Sequence, residues 1–197
     1  MILEHKYNWA ESEVSDINEH IPTLKKYAEG CDTVIEMGVR TIVSTWGLLA
    51  AKPKKLISID LYPPHLYGGD VSEVYTAAKE VGVDFEFRVQ STLTNDIEEC
   101  DLLFIDTLHT YEQLSQELPK HGNKAKKFLV FHDTETFGSK DEVRKEQLFG
   151  AGNNLNEGVG LQQAIDEFLT ENPHWVVEKV FTNNNGLTIL KRTDDPK

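Results

Sequence analysis

Apolar and polar positions along this chain change period repeatedly, from helical to extended and back. Residues 11–29 set Val14, Ile17, Ile21, Leu24 and Tyr27 three and four apart, which predicts an amphipathic helix bent near Pro22. TVIEM (33–37) is a short apolar run ending at Gly38, and STWGLLAAK (44–52) is helical up to Pro53. LISID (56–60) reads as a second strand, followed by a loop rich in proline and glycine. Residues 71–81 return to a helical period behind Asp70 and Glu73, which have capping-box spacing. VDFEFRV (83–89) alternates with period two, as a half-buried strand does.

DLLFID (101–106) and KFLVFHD (127–133) are nearly all apolar, as central strands covered on both faces are. Between them, Thr110 and Gln113 again have capping-box spacing and open a helix to about Lys120. A polar segment over 134–158 holds one short predicted helix near 141–149, and GLQQAIDEFLTEN (160–172) is helical. WVVEKVF (175–181) and GLTILKR (186–192) predict a hairpin around Asn183–Asn185. Five strand-then-helix alternations and a hairpin predict an α/β fold: a Rossmann-like, doubly wound, mostly parallel sheet closed by a C-terminal antiparallel hairpin strand. The 197 residues suit a single domain, with 1–30 as an N-terminal helical segment.

Composition narrows the partners. A formal charge of -13 disfavours a nucleic-acid backbone or an anionic membrane surface. Cys31 and Cys100 lack metal-type spacing and read as reduced, half-buried side chains. The start, MILEHKYNWAESE, lacks the basic and apolar regions of a secretory signal, and no run reaches the ~20 apolar residues of a membrane helix. A cytoplasmic location is expected. The amphipathic N-terminal helix suits a homo-oligomer contact as well as it suits its own sheet.

In doubly wound sheets ligands bind beyond the carboxyl ends of the strands. Acids stand at four of those ends: Glu36, Asp60, Asp106 and Asp133. The single glycine of VIEMGVRTIVST, Gly38, gives a ligand access to the backbone, and Ser44 and Thr45 offer helix N-terminal groups to a carboxylate. Asp60 follows Glu36 by 24 residues (60 − 36), the offset of a carboxylate that grips ribose hydroxyls. Any ribose-bearing cofactor fits that offset, NAD and S-adenosylmethionine alike. FIDTLHTYEQL (104–114) places Asp106, His109 and Tyr111 after one strand, and FHD (131–133) places His132 and Asp133 after the next. On adjacent strands about 4.8 Å apart, Asp106 and Asp133 could share one divalent ion of the magnesium, calcium or manganese type. Turn formation and simple hydrogen bonding are the alternative roles for these four side chains.

These stretches, with FLVFHDT and GVGLQQAIDEFLTENPHW…TNNNGLTILKR, resemble the class I S-adenosylmethionine-dependent methyltransferases over residues 33–192. The nearest group is the small-molecule O-methyltransferases that include the cephalosporin hydroxylase-like and macrocin O-methyltransferase-like proteins. The resemblance implies that Glu36 and Gly38 line the methionine end of the cofactor, with Ser44 at its carboxylate. It places Asp60 on the ribose, Ser91 near the adenine, and Asp106 at the border between cofactor and reaction. Asp106 and Asp133 match positions that hold magnesium in metal-dependent members, and His132, which stands where some members have a second acid, is the third candidate ligand. Ile42 replaces a usual second glycine, which narrows the expected room beside the cofactor.

The implied chemistry is methyl transfer to a small-molecule hydroxyl, with His109 as general base and Asp106 beside it. The segment 134–158 is long enough to form an acceptor lid. Two other readings share parts of this pattern: a non-catalytic S-adenosylmethionine-binding protein, and an NAD(P)-dependent oxidoreductase, which fits Asp60 but lacks the three-glycine loop.

Overall fold

A computed structural model describes residues 1–143 and 159–194. Seven strands form one sheet: β1 (Thr33–Met37), β2 (Lys55–Asp60), β3 (Asp84–Val89), β4 (Cys100–Ile105), β5 (Ala125–His132), β6 (Trp175–Phe181) and β7 (Leu187–Arg192). Their order is β3-β2-β1-β4-β5-β7-β6, and β7 alone runs against its neighbours. The strand order reverses between β1 and β4, and that switch point is where a crevice opens.

Strand alternation sorts the core into two layers. Val34, Leu56, Leu102 and Val130 face one layer, covered by α1 (Ile2–Ser12), α2 (Ile21–Ala28), α3 (Val43–Ala50) and α4 (Val71–Val81). Ile35, Ile57, Leu103 and Leu129 face the other, covered by α5 (Tyr111–His121) and α6 (Gly160–Glu171). Both faces are apolar, which is why β1, β2, β4 and β5 read as unbroken hydrophobic runs. Among the described residues no helix is long and apolar enough to cross a membrane.

Three local expectations change. The helix expected over 11–29 is two helices: α1 starts at Ile2, and α2 begins at Ile21 with Pro22 in its first turn, where a missing N–H costs nothing. Pro22 therefore starts a helix, and the link between the two carries a short 3₁₀ turn, Asn18–His20. No helix separates β3 from β4, so residues 90–99 are an ordered loop and not a fifth strand–helix alternation. Residues 141–143 are not helical, and the rest of the expected 141–149 helix and of the lid lies outside the described residues.

Candidate active site

A cavity of about 600 Å³ opens at the carboxyl edge, straddling the switch point. Its walls come from the segments after β1, β2, β3 and β4, together with Asp133, Glu142 and the N-terminal residues Asp16 and Ile17. Five carboxylates border it (Asp16, Asp60, Asp106, Asp133, Glu142), against the cations Arg40 and His109. Arg40 Nη2 pairs with Asp16 Oδ2 at 3.3 Å, so the N-terminal segment is tied across the mouth to the loop after β1.

The half expected to take a cofactor is built around that loop. Gly38 has φ +91°, and a Cβ there would meet the Asp106 carbonyl oxygen at 1.9 Å. Its lack of a side chain lets β4 pass over the loop, in addition to the access it gives to the cavity. Asp60 holds the loop from below: its Oδ2 accepts from the Val39 and Arg40 amides at 2.8 and 2.9 Å, and its Oδ1 accepts from the Tyr62 amide at 2.9 Å. A carboxylate has about four lone-pair sites, so Asp60 keeps acceptor capacity on the cavity wall. Ser44 and Ser91 also line the cavity.

Glu36 does not line it. The side-chain parity of β1 turns Glu36 into the α1–α4 layer, where it is fully buried and accepts from Ser44 Oγ, Ser58 Oγ and Thr45 Oγ1, the last at 2.8 Å. Burial pushes its carboxyl up to about 7 in spite of those three donors. The expectation that Glu36 touches the methionine end is therefore corrected: it stands beneath the cavity and positions Ser44. Ile42 is also absent from the walls. It adopts a left-handed backbone (φ +68°) at the N-cap of α3, and its side chain packs into the core, 3% exposed. The cavity is not narrowed by it, and the cost falls on the backbone, about 1–2 kcal/mol for a non-glycine residue.

In the reaction half, β4 and β5 pair in parallel and bring Asp106 and Asp133 together. His109 Nε2 stands 3.0 Å from Asp106 Oδ1 and 3.0 Å from Asp133 Oδ2, its Nδ1 is 2.9 Å from Glu142 Oε2, and its ring stacks on Phe137. Burial opposes a charge on His109, but the hydrogen bonds to Asp106, Asp133 and Glu142 outweigh it and push the imidazole up to about 12. Its ordinary near-neutral value, the ground for expecting a general base, does not survive in this company. Burial likewise opposes ionisation of Asp106, and His132 and His109 override it, holding that carboxyl well below the usual range.

Asp106, His109 and Asp133 each turn a ligand atom to one place, all within 4.8 Å of one another. Asp133 takes a left-handed backbone (φ +60°) and is 5% exposed, and its Oδ1 is buried with no hydrogen-bond partner among the described residues. A carboxylate oxygen left bare in the interior is costly, and a bound cation would satisfy it. The donor set therefore fits a hard divalent ion. His132 stands behind this set: its Nδ1 lies 3.2 Å from Asp106 Oδ1 and its Nε2 lies 3.2 Å from the Asn184 carbonyl oxygen.

That carbonyl belongs to the β6–β7 turn, on which several segments converge. Asn184 Nδ2 donates to the Ser15 carbonyl at 2.9 Å, the Glu19 amide donates to Asn184 Oδ1 at 3.1 Å, and His20 Nε2 meets the Asn183 carbonyl at 3.0 Å. The Glu135 and Thr136 amides both donate to the Asn185 carbonyl, at 2.9 and 3.0 Å. Sequence reasoning missed Asp16, Arg40, Glu142 and this turn. The Asn-Asn-Asn-Gly run marked a turn but gave no sign of what it would hold.

No family model and no curated protein matches the chain. Solved structures do. The O-methyltransferase from Bacillus cereus, determined with S-adenosylhomocysteine, superposes with a TM-score of 0.61 at 13% identity, over 97% of this chain and 90% of that one. The O-methyltransferase TomG from Streptomyces achromogenes, involved in tomaymycin synthesis and determined with S-adenosylmethionine, gives 0.61 at 14% identity, over 98% and 90%. The methyltransferase PaMTH1 of Podospora anserina, with S-adenosylhomocysteine, gives 0.54 at 16% identity, over 98% and 88%. At such identities the likeness is one of architecture: this chain has the Rossmann-like fold that these solved methyltransferases share.

Proposed function

We propose that the chain is an S-adenosylmethionine-dependent O-methyltransferase acting on a hydroxyl of a small molecule. The observation that carries this reading is one continuous cavity that joins a ribose-type acid and the glycine loop, at one end, to the convergent Asp106, His109 and Asp133 at the other. In this reading Gly38 and Ser44 receive the methionine end, Asp60 takes the ribose through its remaining lone pairs, and Ser91 borders the adenine. Asp106 lies where the two halves meet.

The acceptor oxygen attacks the methyl carbon while the carbon–sulfur bond breaks, and its electron pair goes to sulfur, leaving a neutral thioether. Alignment in a site shielded from water supplies most of the rate. The hydroxyl must lose its proton. Both ring nitrogens of His109 are engaged by carboxylates, so the proton is assigned to the carboxylate pair Asp106 and Asp133, which border the cavity on either side of His109. A magnesium-type ion held by Asp106 and Asp133, and by His109 once its Nε2 had given up its proton, would supply Lewis acidity, lowering the pKa of the acceptor hydroxyl. His132 braces Asp106 from behind.

Calorimetry with S-adenosylmethionine, S-adenosylhomocysteine and NAD, each with and without magnesium, tests the reading. Binding of both sulfur compounds and not of NAD is expected; binding of neither defeats it. Asp106→Ala should abolish turnover of an accepted hydroxyl substrate and leave cofactor affinity within about threefold, since Asp106 supplies alignment at the reacting end. A chain that binds the cofactor but methylates no hydroxyl in a small-molecule panel would be the non-catalytic binder instead.

A further inference from the structure

Glu117, on the inner face of α5, is a fully buried carboxylate that the reaction half does not use. It accepts from three donors: Thr92 Oγ1, Thr107 Oγ1 at 2.7 Å and Gln113 Nε2 at 2.7 Å. Thr92 belongs to the loop after β3 and Thr107 to the loop after β4, so one side chain ties both loops to the helix at this end of the cavity. Gln113 is also 3.3 Å from Thr92 Oγ1 through the same nitrogen.

That nitrogen decides which way the amide points. Gln113 turns its amino end to Glu117, with Nε2 donating to Oε1, and the carbonyl oxygen is left facing away from it. Gln113 lines the cavity beside Ser91, Thr92 and Thr107. Capping does not account for the side chain. Thr110 Oγ1 does accept from the Gln113 amide at 3.2 Å, but the Gln113 side chain turns to Glu117 in place of reaching back to the N-cap. A donor is also present nearby: Gln90 Nε2, on the same wall, is buried without a partner among the described residues.

We infer that Gln113, oriented by Glu117, is a specificity-determining residue whose carbonyl oxygen accepts from the exocyclic amino group of a 6-aminopurine. The inference rests on the cofactor reading above and deepens it by assigning the side chain that reads the base. A 6-oxopurine would set carbonyl against carbonyl at this point, and a buried mismatch of that kind is strongly disfavoured. Glu117 is the positioning residue: it touches no ligand and acts through Gln113.

Calorimetry on the full chain with S-adenosylhomocysteine and S-inosylhomocysteine reads this out. The wild-type protein should prefer the adenine compound on the order of 10- to 100-fold. Gln113→Leu should reduce the preference to within about threefold and lower the melting temperature by a few degrees, because Glu117 loses one of its donors. Glu117→Gln should reduce it too, because a neutral amide partners either end of Gln113; should that variant not fold, Gln113→Leu decides alone. An unchanged preference in Gln113→Leu overturns the assignment while leaving the cofactor reading intact. Failure of the wild-type protein to bind either compound overturns both.

Discussion

A carboxylate in the middle of a core strand needs its own polar enclosure, and Glu36 has one made of three hydroxyls. Its proton is held more tightly in the folded chain, with a value near 7 against an ordinary 4.5. A raised carboxyl contributes stability that is complete below about pH 4.5 and is lost as pH rises through about 7. The loss amounts to about 3 kcal/mol. Glu36→Gln should therefore unfold at the same urea concentration as wild type near pH 4.5 and at a higher one at pH 8; parallel pH dependence of the two proteins would exclude a buried titrating Glu36. Residue identity alone showed that an acid closed TVIEM. It did not show whether that acid faced the edge or the core, because one step of strand parity separates the two. The place of Asp60, Asp106 and Asp133 on the cavity wall was legible, since they come at or just past the ends of β2, β4 and β5, where the chain opens into the cavity.

Strands were the most legible elements. TVIEM and WVVEKVF are β1 and β6 to the residue, and β2, β4 and β5 differ from expectation by one or two positions at an end. Apolar runs between turn residues leave little choice there. Helix limits were less legible around residues 11–29, where periodicity carried across a non-helical link and Pro22 opened a helix in place of bending one. The association between residues 15–20 and the β6–β7 turn was not legible at all, being more than 160 residues distant in sequence and made largely of side chains that each meet a backbone group. It is testable. Asn184→Ala removes two side-chain hydrogen bonds and places alanine at φ +45°, and should cost about 2–3 kcal/mol. Hydrogen exchange at the Glu19 amide should accelerate well beyond that at core strand amides; equal protection in both proteins would mean the turn does not hold the segment.

For the whole molecule, charge and cavity act in the same sense. The chain carries -13 overall, and among the described residues the cavity walls carry five carboxylates against Arg40 and a charged His109, a local excess of three negative charges (5 − 2). A sulfonium cofactor is more positive by one charge than its thioether product, so the field favours the former. S-adenosylmethionine should bind on the order of 3- to 10-fold tighter than S-adenosylhomocysteine at low ionic strength, with the gap closing as salt is raised. A ratio independent of salt would remove the field from the explanation.

The β6–β7 turn also sets an order of completion. Synthesis delivers Gly38, Asp60 and Ser91 first and the turn at Asn183–Gly186 long after. Until that turn emerges, the Glu135 and Thr136 amides have no carbonyl to meet and His132 Nε2 no acceptor, so Asp106 lacks its brace. A nascent chain on the ribosome would thus own the Gly38, Asp60 and Ser91 walls of the cavity before it could complete the Asp106–Asp133 end.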